Sequence, residues 1–226
     1  MNKYEISNKI EKFAPLDTQE KWDCSGWIVD IKDKTDINKV MYTLTVTDDI
    51  INQAINQNCD MIISHHPLFY VPLNYKDINI YCAHTNMDKA EGGTTDVLIE
   101  NLGFKKTRNE DFVRVVELDT PTTLGELRKK LIEISPNLRY INNSNRNDDY
   151  TIKTIGFCAG SGSEFINTTN TDAFITGDLK FHTALESKQI VFDIGHFESE
   201  IFIKNVFKKI VNIENGVFAD EKSPFI

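Results

Sequence analysis

No run of apolar side chains in these 226 residues comes near the roughly 18 to 20 that a membrane-spanning helix needs. The opening Met1-Asn2-Lys3-Tyr4-Glu5 lacks the basic-then-apolar pattern of a secretory signal, so the cytoplasm is the expected compartment. Positive charge is also scarce: 25 Lys and Arg face 34 Asp and Glu, for a formal charge of −9, and no long basic run occurs. Affinity for a nucleic-acid backbone comes from cations that displace counterions, so nucleic acid is disfavoured as a partner. The four cysteines, Cys24, Cys59, Cys82 and Cys158, stand far apart, with no C-x-x-C pair and no zinc-finger spacing. Three of them lie in or beside apolar runs and read as buried thiols in a reducing compartment.

What remains is enough to build a core. Hydrophobic residues make up 40% and charged residues 26%, close to globular averages, and a chain of this length buries roughly 70% of its unfolded surface. Short β-rich runs alternate with helical patterns. Strands are predicted at Val40–Val46, Met61–Ser64, Ile78–Ala83, Val113–Leu118 (half-exposed by its alternation), Thr154–Ala159, Ala173–Thr176 and Ile190–Asp193. Helices are predicted after Thr47-Asp48-Asp49 with Ile51, Ala54 and Ile55 on one face, over Thr95–Leu102 ending at Gly103, and over Thr123–Ile134 with Leu124, Leu127 and Leu131 inward. Further helices are expected near Glu164, over Phe181–Ser187 and over Phe197–Val211. The polar stretch Asn142–Asp149 reads as an exposed loop or linker. This alternation implies an α/β layer architecture.

Five histidines are present, and four of them sit at or just past a predicted strand end, where ligands gather in α/β proteins. His65 and His66 follow Ile62-Ile63-Ser64 and precede Pro67, so both rings can turn to one locus once the strand ends. His196 and Glu200 are four apart at a helix start and share a face with Ile203 and Phe207, where a carboxylate is costly to bury without a cation. His84 and Asp88 repeat the four-residue spacing after another strand. Pooled, these segments offer up to four imidazoles and two carboxylates, a donor set suited to Zn, Fe, Mn, Ni or Co. Six donors exceed one tetrahedral site but fit two divalent ions bridged by a carboxylate and a hydroxide. The ions would outweigh these anions by about one unit of charge and so attract an anionic small molecule. Gly160-Ser161-Gly162-Ser163 follows a strand and is expected to open a helix and cradle that anion. His182, near the end of Thr176-Gly177-Asp178-Leu179-Lys180-Phe181-His182, and His84 are candidate proton-transfer groups.

Ser64-His65-His66-Pro67-Leu68, His84-Thr85-Asn86-Met87-Asp88, Gly160-Ser161-Gly162-Ser163, Thr176-Gly177-Asp178 with His182, and Gly195-His196-Phe197-Glu198-Ser199-Glu200 occur here in one order. Together with Trp22-Asp23-Cys24-Ser25-Gly26-Trp27, this set resembles the NIF-three-like proteins, described as dinuclear metal centre hexamers and GTP cyclohydrolase 1 type 2 homologues. The resemblance implies an α/β fold of two similar lobes packed around a dinuclear metal site. It also implies metal ligands His65, His66, Asp88, His196 and Glu200, with Glu200 bridging, and a toroidal homohexamer. The stretch between Leu118 and Thr154 is too short for the domain that some relatives insert, so a minimal form is expected. Residues 1–226 would form one NIF-three-like domain, with lobes at about 1–120 and 151–226 and a connector at about 121–150. The expected activity is metal-dependent hydrolysis of a nucleotide or other phosphate-containing substrate by a bridging hydroxide. The alternative is a metal-binding scaffold or regulatory adaptor that forms a ring without turnover.

Overall fold

The computed structural model describes residues 1–225. In chain order the elements are α1 (Lys3–Phe13), β1 (Gly26–Val29), β2 (Lys39–Thr43), α2 (Asp48–Asn56), β3 (Met61–Ser64), β4 (Asn79–Cys82), α3 (Thr85–Lys89), α4 (Thr94–Asn101), β5 (Arg108–Glu110) and β6 (Val113–Thr123). There follow α5 (Leu124–Ile134), β7 (Arg139–Ile141), β8 (Thr151–Ser161), β9 (Ala173–Gly177), α6 (Phe181–Glu186), β10 (Ile190–Asp193), α7 (His196–Glu200), α8 (Ile203–Val211) and β11 (Asn215–Phe218). This is a mixed α/β protein with two sheets. Among the described residues no helix is long and apolar enough to cross a membrane.

The chain divides into two compact units. One comprises Met1–Gly93 and Ile203–Lys222, the other Thr94–Phe202 and the residues from Ser223 on. These bounds differ from the expected lobe boundary near residue 120 and the connector at 121–150. The reason is packing: Leu124, Leu127 and Leu131 of α5 are buried in the same core as Ile155, Phe157 and Phe192. A capping box between Thr123 and Glu126 starts that helix, a feature worth about 1 kcal/mol.

In the first unit the strand order is β1-β4-β3-β2-β11, parallel throughout except for the antiparallel edge pair β1/β4. β2, β3 and β4 are buried along their length or nearly so, as parallel strands covered on both faces must be. Their register aligns Thr43 with Ser64 and Ser64 with Cys82, so His65 and Ala83 leave the sheet on the same rung. Helix α2 turns Ile50, Ile51 and Ala54 inward, whereas Ile55, expected on that face, is exposed.

The second sheet has the order β5-β6-β8-β9-β10-β7, with β8, β9 and β10 parallel and the rest antiparallel. Residues alternate between its faces with period two. Ile155, Phe157, Ala173, Ile175, Ile190 and Phe192 pack with α4 and α5, and Cys158, Phe174 and Val191 pack on the opposite face. β6 is not half-exposed at its start. Arg114 is fully buried there because Asp96 and Asn109 neutralise and bond its guanidinium. No helix forms near Glu164, where turns link β8 to β9. The helix expected over Phe197–Val211 is two helices, broken at Ile201-Phe202 where the chain passes from one unit to the other.

Candidate metal centre

In the first unit, His65 and His66 stand directly after β3 and His84 directly after β4. One ring nitrogen of each of the three lies within 4.8 Å of the others, and the ring centroids are 5.2 to 5.7 Å apart. The sequence offered His84 both as one of four pooled imidazole donors and as a proton-transfer group; the fold sets its ring beside those of His65 and His66.

Each ring is oriented through its Nδ1. His65 Nδ1 is 2.9 Å from the Ala83 carbonyl, which can only accept, so this nitrogen carries a proton, and in the neutral ring Nε2 presents a lone pair. That Nε2 faces Asp88 Oδ1 at 3.3 Å. A lone pair against a carboxylate oxygen is repulsive unless a proton or a metal cation lies between them, and the pair is buried or nearly so. His66 Nδ1 lies 2.6 Å from Thr45 Oγ1, and His84 Nδ1 lies 3.1 Å from Asp23 Oδ1. A polar partner at Nδ1, which leaves Nε2 for a cation, is the arrangement that histidine ligands of metals almost always show.

Asp23 is the residue that composition and spacing did not single out. Its side chain is fully buried and accepts bonds from the Cys24 and Thr85 amides, from Ser25 Oγ and from Thr85 Oγ1, besides His84. Burial pushes its pKa up, but the bonds from His84 and Thr85 outweigh that and hold the carboxyl well below the usual range. The readable signal was the Trp22-Asp23-Cys24-Ser25 segment. Among the other cysteines, Cys59, Cys82 and Cys158 are buried as expected, and Cys24 is half-buried. Burial pushes the Cys82 thiol pKa well up, so it packs as a neutral group.

In the second unit, His196 opens α7 after β10, and its two nitrogens meet two carboxylates: Nδ1 to Asp178 Oδ2 at 2.6 Å and Nε2 to Glu200 Oε2 at 2.9 Å. Burial alone would lower its pKa, but the Glu200 and Asp178 carboxylates dominate and raise it to about 9. Asp178 takes a left-handed conformation, φ 50°. Buried Asp193 steadies both flanks of this pair by accepting from the Leu179 and Gly195 amides. Glu200 is buried, although the break after α7 means it does not share one continuous helix face with Ile203 and Phe207.

The Gly160–Ser163 segment, expected to open a helix and cradle an anion, turns part of its backbone inward. It ends a strand and opens no helix, and two of its amides have internal acceptors: Gly160 N donates to Ser199 Oγ and Gly162 N to Thr176 Oγ1, both at 2.9 Å. Ser163 Oγ donates to the Asp178 carbonyl and accepts from the Lys180 amide. Gly160, at φ +65°, is there for clearance, since a Cβ would lie 2.1 Å from Glu200 Oε1. A Cβ on Gly177 would lie 2.8 Å from the His196 backbone. His182 lies exposed on α6 with its ring 5.5 Å from that of Phe181, and it joins no ligand group among the described residues.

The donors fit a transition metal or zinc: imidazoles fixed through Nδ1 and carboxylates aimed at Nε2 atoms. Comparison with known proteins shows a family. The pattern of the family Duf34/NIF3 (NGG1p interacting factor 3) matches residues 1–221. A GTP cyclohydrolase 1 type 2 homolog of Clostridium perfringens is 33% identical over 98% of this chain and 97% of its own. One from Campylobacter jejuni is 32% identical with the same coverage. Among solved structures, a Bacillus cereus protein related to NIF3 superposes with a TM-score of 0.86 at 18% identity, covering 100% of this chain and 99% of its own. That last likeness speaks to the fold.

Proposed function

Since the chain belongs to the Duf34/NIF3 family, we propose that it is a dinuclear metal-dependent hydrolase acting on a nucleotide or another phosphate-containing small molecule. In this reading His65, His66, Asp88, His196 and Glu200 would hold two divalent ions. The observation that carries it is the common orientation of His65, His66 and His84, each with Nδ1 held by a polar partner. When bound, such ions lower the pKa of water and stabilise negative charge that develops on an attacked phosphoryl or carbonyl group.

The protein's own groups supply the rest. Asp23 fixes the His84 tautomer with the proton on Nδ1, leaving Nε2 to take a proton from a reacting group, and the buried carboxylate steadies the imidazolium that results. His182, exposed on α6, is a second proton carrier within reach of solvent. Asp178 does for His196 what Asp23 does for His84. Two ions held by Asp88 and Glu200 would leave a local positive charge able to attract an anion to a protein whose formal charge is −9. The assembly that goes with this reading is a ring of six copies in the cytoplasm.

The decisive experiment is elemental analysis of protein purified without chelator, alongside His65→Ala and Glu200→Ala, with a light-scattering mass for each. About two ions per chain in the parent, lost in both variants, is the expected result. GTP and simple phosphate esters would then be offered to the metal-loaded and chelated forms. Metal content indifferent to both substitutions, or turnover undiminished by chelation, would refute the proposal.

A further inference from the structure

Glu221 lies far from the motif segments in sequence, yet its carboxylate is built into the turn that supports His65 and His66. The C-terminal strand β11 runs parallel to β2 with Phe218 opposite Tyr42. The pairing continues past the strand, for Ala219 N donates to the Tyr42 carbonyl at 2.9 Å. Asp220 is clamped by the Gln53 side chain, which donates to its carbonyl and accepts from its amide, both at 2.9 Å. Glu221 thus arrives beside Leu44 and Thr45, where β2 has ended.

There its carboxylate accepts from Leu44 N at 2.9 and 3.0 Å and from Thr45 N at 3.1 Å, with Lys204 Nζ 3.0 Å away as counter-charge. The Glu221 side chain is only 8% exposed, so these bonds form where water competes little. The other edge of the same peptides faces the histidines. The Leu44 carbonyl accepts from His65 N at 3.2 Å and His66 N at 2.9 Å, and Thr45 Oγ1 bonds His66 Nδ1 at 2.6 Å. One carboxylate therefore holds the donor side of a two-residue turn whose acceptor side and hydroxyl hold two imidazole-bearing residues.

We propose that Glu221 is a positioning residue for the metal centre: through the Leu44-Thr45 turn it sets where His66 stands and how its ring is rotated, making the C-terminal segment part of the ligand scaffold. With Nε2 given to a metal, His66 Nδ1 is the donor and Thr45 Oγ1 the acceptor, so the hydroxyl must stay where the turn puts it. The inference rests on His65 and His66 being ligands, as proposed above.

The test uses the full chain and zinc, with affinity read by competition against a fluorescent chelator and the melting temperature of the metal-free form read by circular dichroism. Thr45→Val and Glu221→Ala should each weaken zinc binding about 10- to 100-fold, the usual range for a partner of a ligand. Thr45→Ser, which keeps the hydroxyl, should restore most of it. The double variant should lose no more than the weaker-binding single one, because both act on the same ring. Should Glu221→Ala not fold, Glu221→Gln, which keeps one acceptor oxygen, should show the same trend to a smaller degree. A Glu221 variant with lowered melting temperature but parental zinc affinity, or losses that multiply in the double variant, would overturn the proposal. His66→Ala separates the two readings. If it costs no zinc, the ligand assignment itself fails; if it costs zinc while Glu221→Ala does not, only the positioning role fails.

Discussion

Gly160→Ala should damage metal binding more than folding, and the structure gives the scale of both effects. The residue sits at φ +65°, where a non-glycine residue costs about 1 to 2 kcal/mol. For a chain of this size that corresponds to a fall in melting temperature of about 2 to 8 °C. The added methyl would lie 2.1 Å from Glu200 Oε1 and 3.1 Å from its Cδ, so the carboxylate must retreat by more than an ångström to reach ordinary contact. Metal sites tolerate displacements of only about 0.2 Å in ligand distance, so affinity should fall about 10- to 100-fold. Gly162→Ala is the matched control. Its methyl would meet Thr176 Oγ1 at 2.5 Å and Cys158 Cβ at 2.6 Å, an overpacking worth about 1 to 3 kcal/mol that leaves Glu200 alone. Calorimetric melting paired with chelator competition measures both quantities. Parental affinity in Gly160→Ala, or an equal loss in Gly162→Ala, would refute the assignment of Gly160 as clearance for a ligand.

Other consequences are as direct. In the metal-free protein the His196 pKa stands near 9 against about 6.5 when unfolded. Its stabilisation is thus complete below pH 6.5 and is lost as pH rises toward 9, and His196→Gln should flatten that part of a melting-temperature profile. By the same logic, loading a metal between those pH values should release the His196 proton, measurable as buffer-dependent heat in calorimetry. Asp23→Asn removes the carboxylate that orients His84 and takes bonds from Thr85, and should lower the metal-free melting temperature as well as any turnover. Chelation of the loaded protein should cost about 2.7 kcal/mol of stability at a metal concentration 100 times its dissociation constant. A melting curve that ignores chelator would count against a resident metal. His182→Ala should leave metal content unchanged, since the ring lies out on α6.

The elements best read from sequence were those whose pattern is forced by burial on both faces. Met61–Ser64 and Ile190–Asp193 are continuous apolar runs closed by polar residues, and both strands have those limits. Capping chemistry fixed the start of α5 at Thr123 for the same local reason. Helix α1 escaped notice because its inward face is carried by Ile6 and Ile10 together with a buried Lys3, whose ammonium is neutralised by Asp30 at 2.7 Å. A lysine at a core position erases the hydrophobic signal. Strands β5, β7 and β11 are short and exposed at least in part, so nothing in their composition distinguishes them from loops. The break at Ile201-Phe202 was invisible because the spacing of His196, Glu200, Ile203 and Phe207 reads as one continuous helix face. In the site, the histidines and carboxylates were legible from their strand-end positions. Two of their supports were not: Thr45 and Ala83 act on the rings through one oxygen each, and a hydroxyl or carbonyl carries no signature of what it will orient.

Those supports also make the imidazoles electronically unequal. His65 leans on a peptide carbonyl, His66 on a hydroxyl, and His84 and His196 on carboxylates. A ring whose Nδ1 proton is drawn toward a carboxylate is the stronger base at Nε2 and the stronger donor to a cation. Of the three histidines proposed as ligands, His196 would hold a cation more firmly than His65 or His66. A weak chelator would then strip the protein in two steps, and the half-loaded chain would be a species in its own right, with its own spectrum, stability and reactivity.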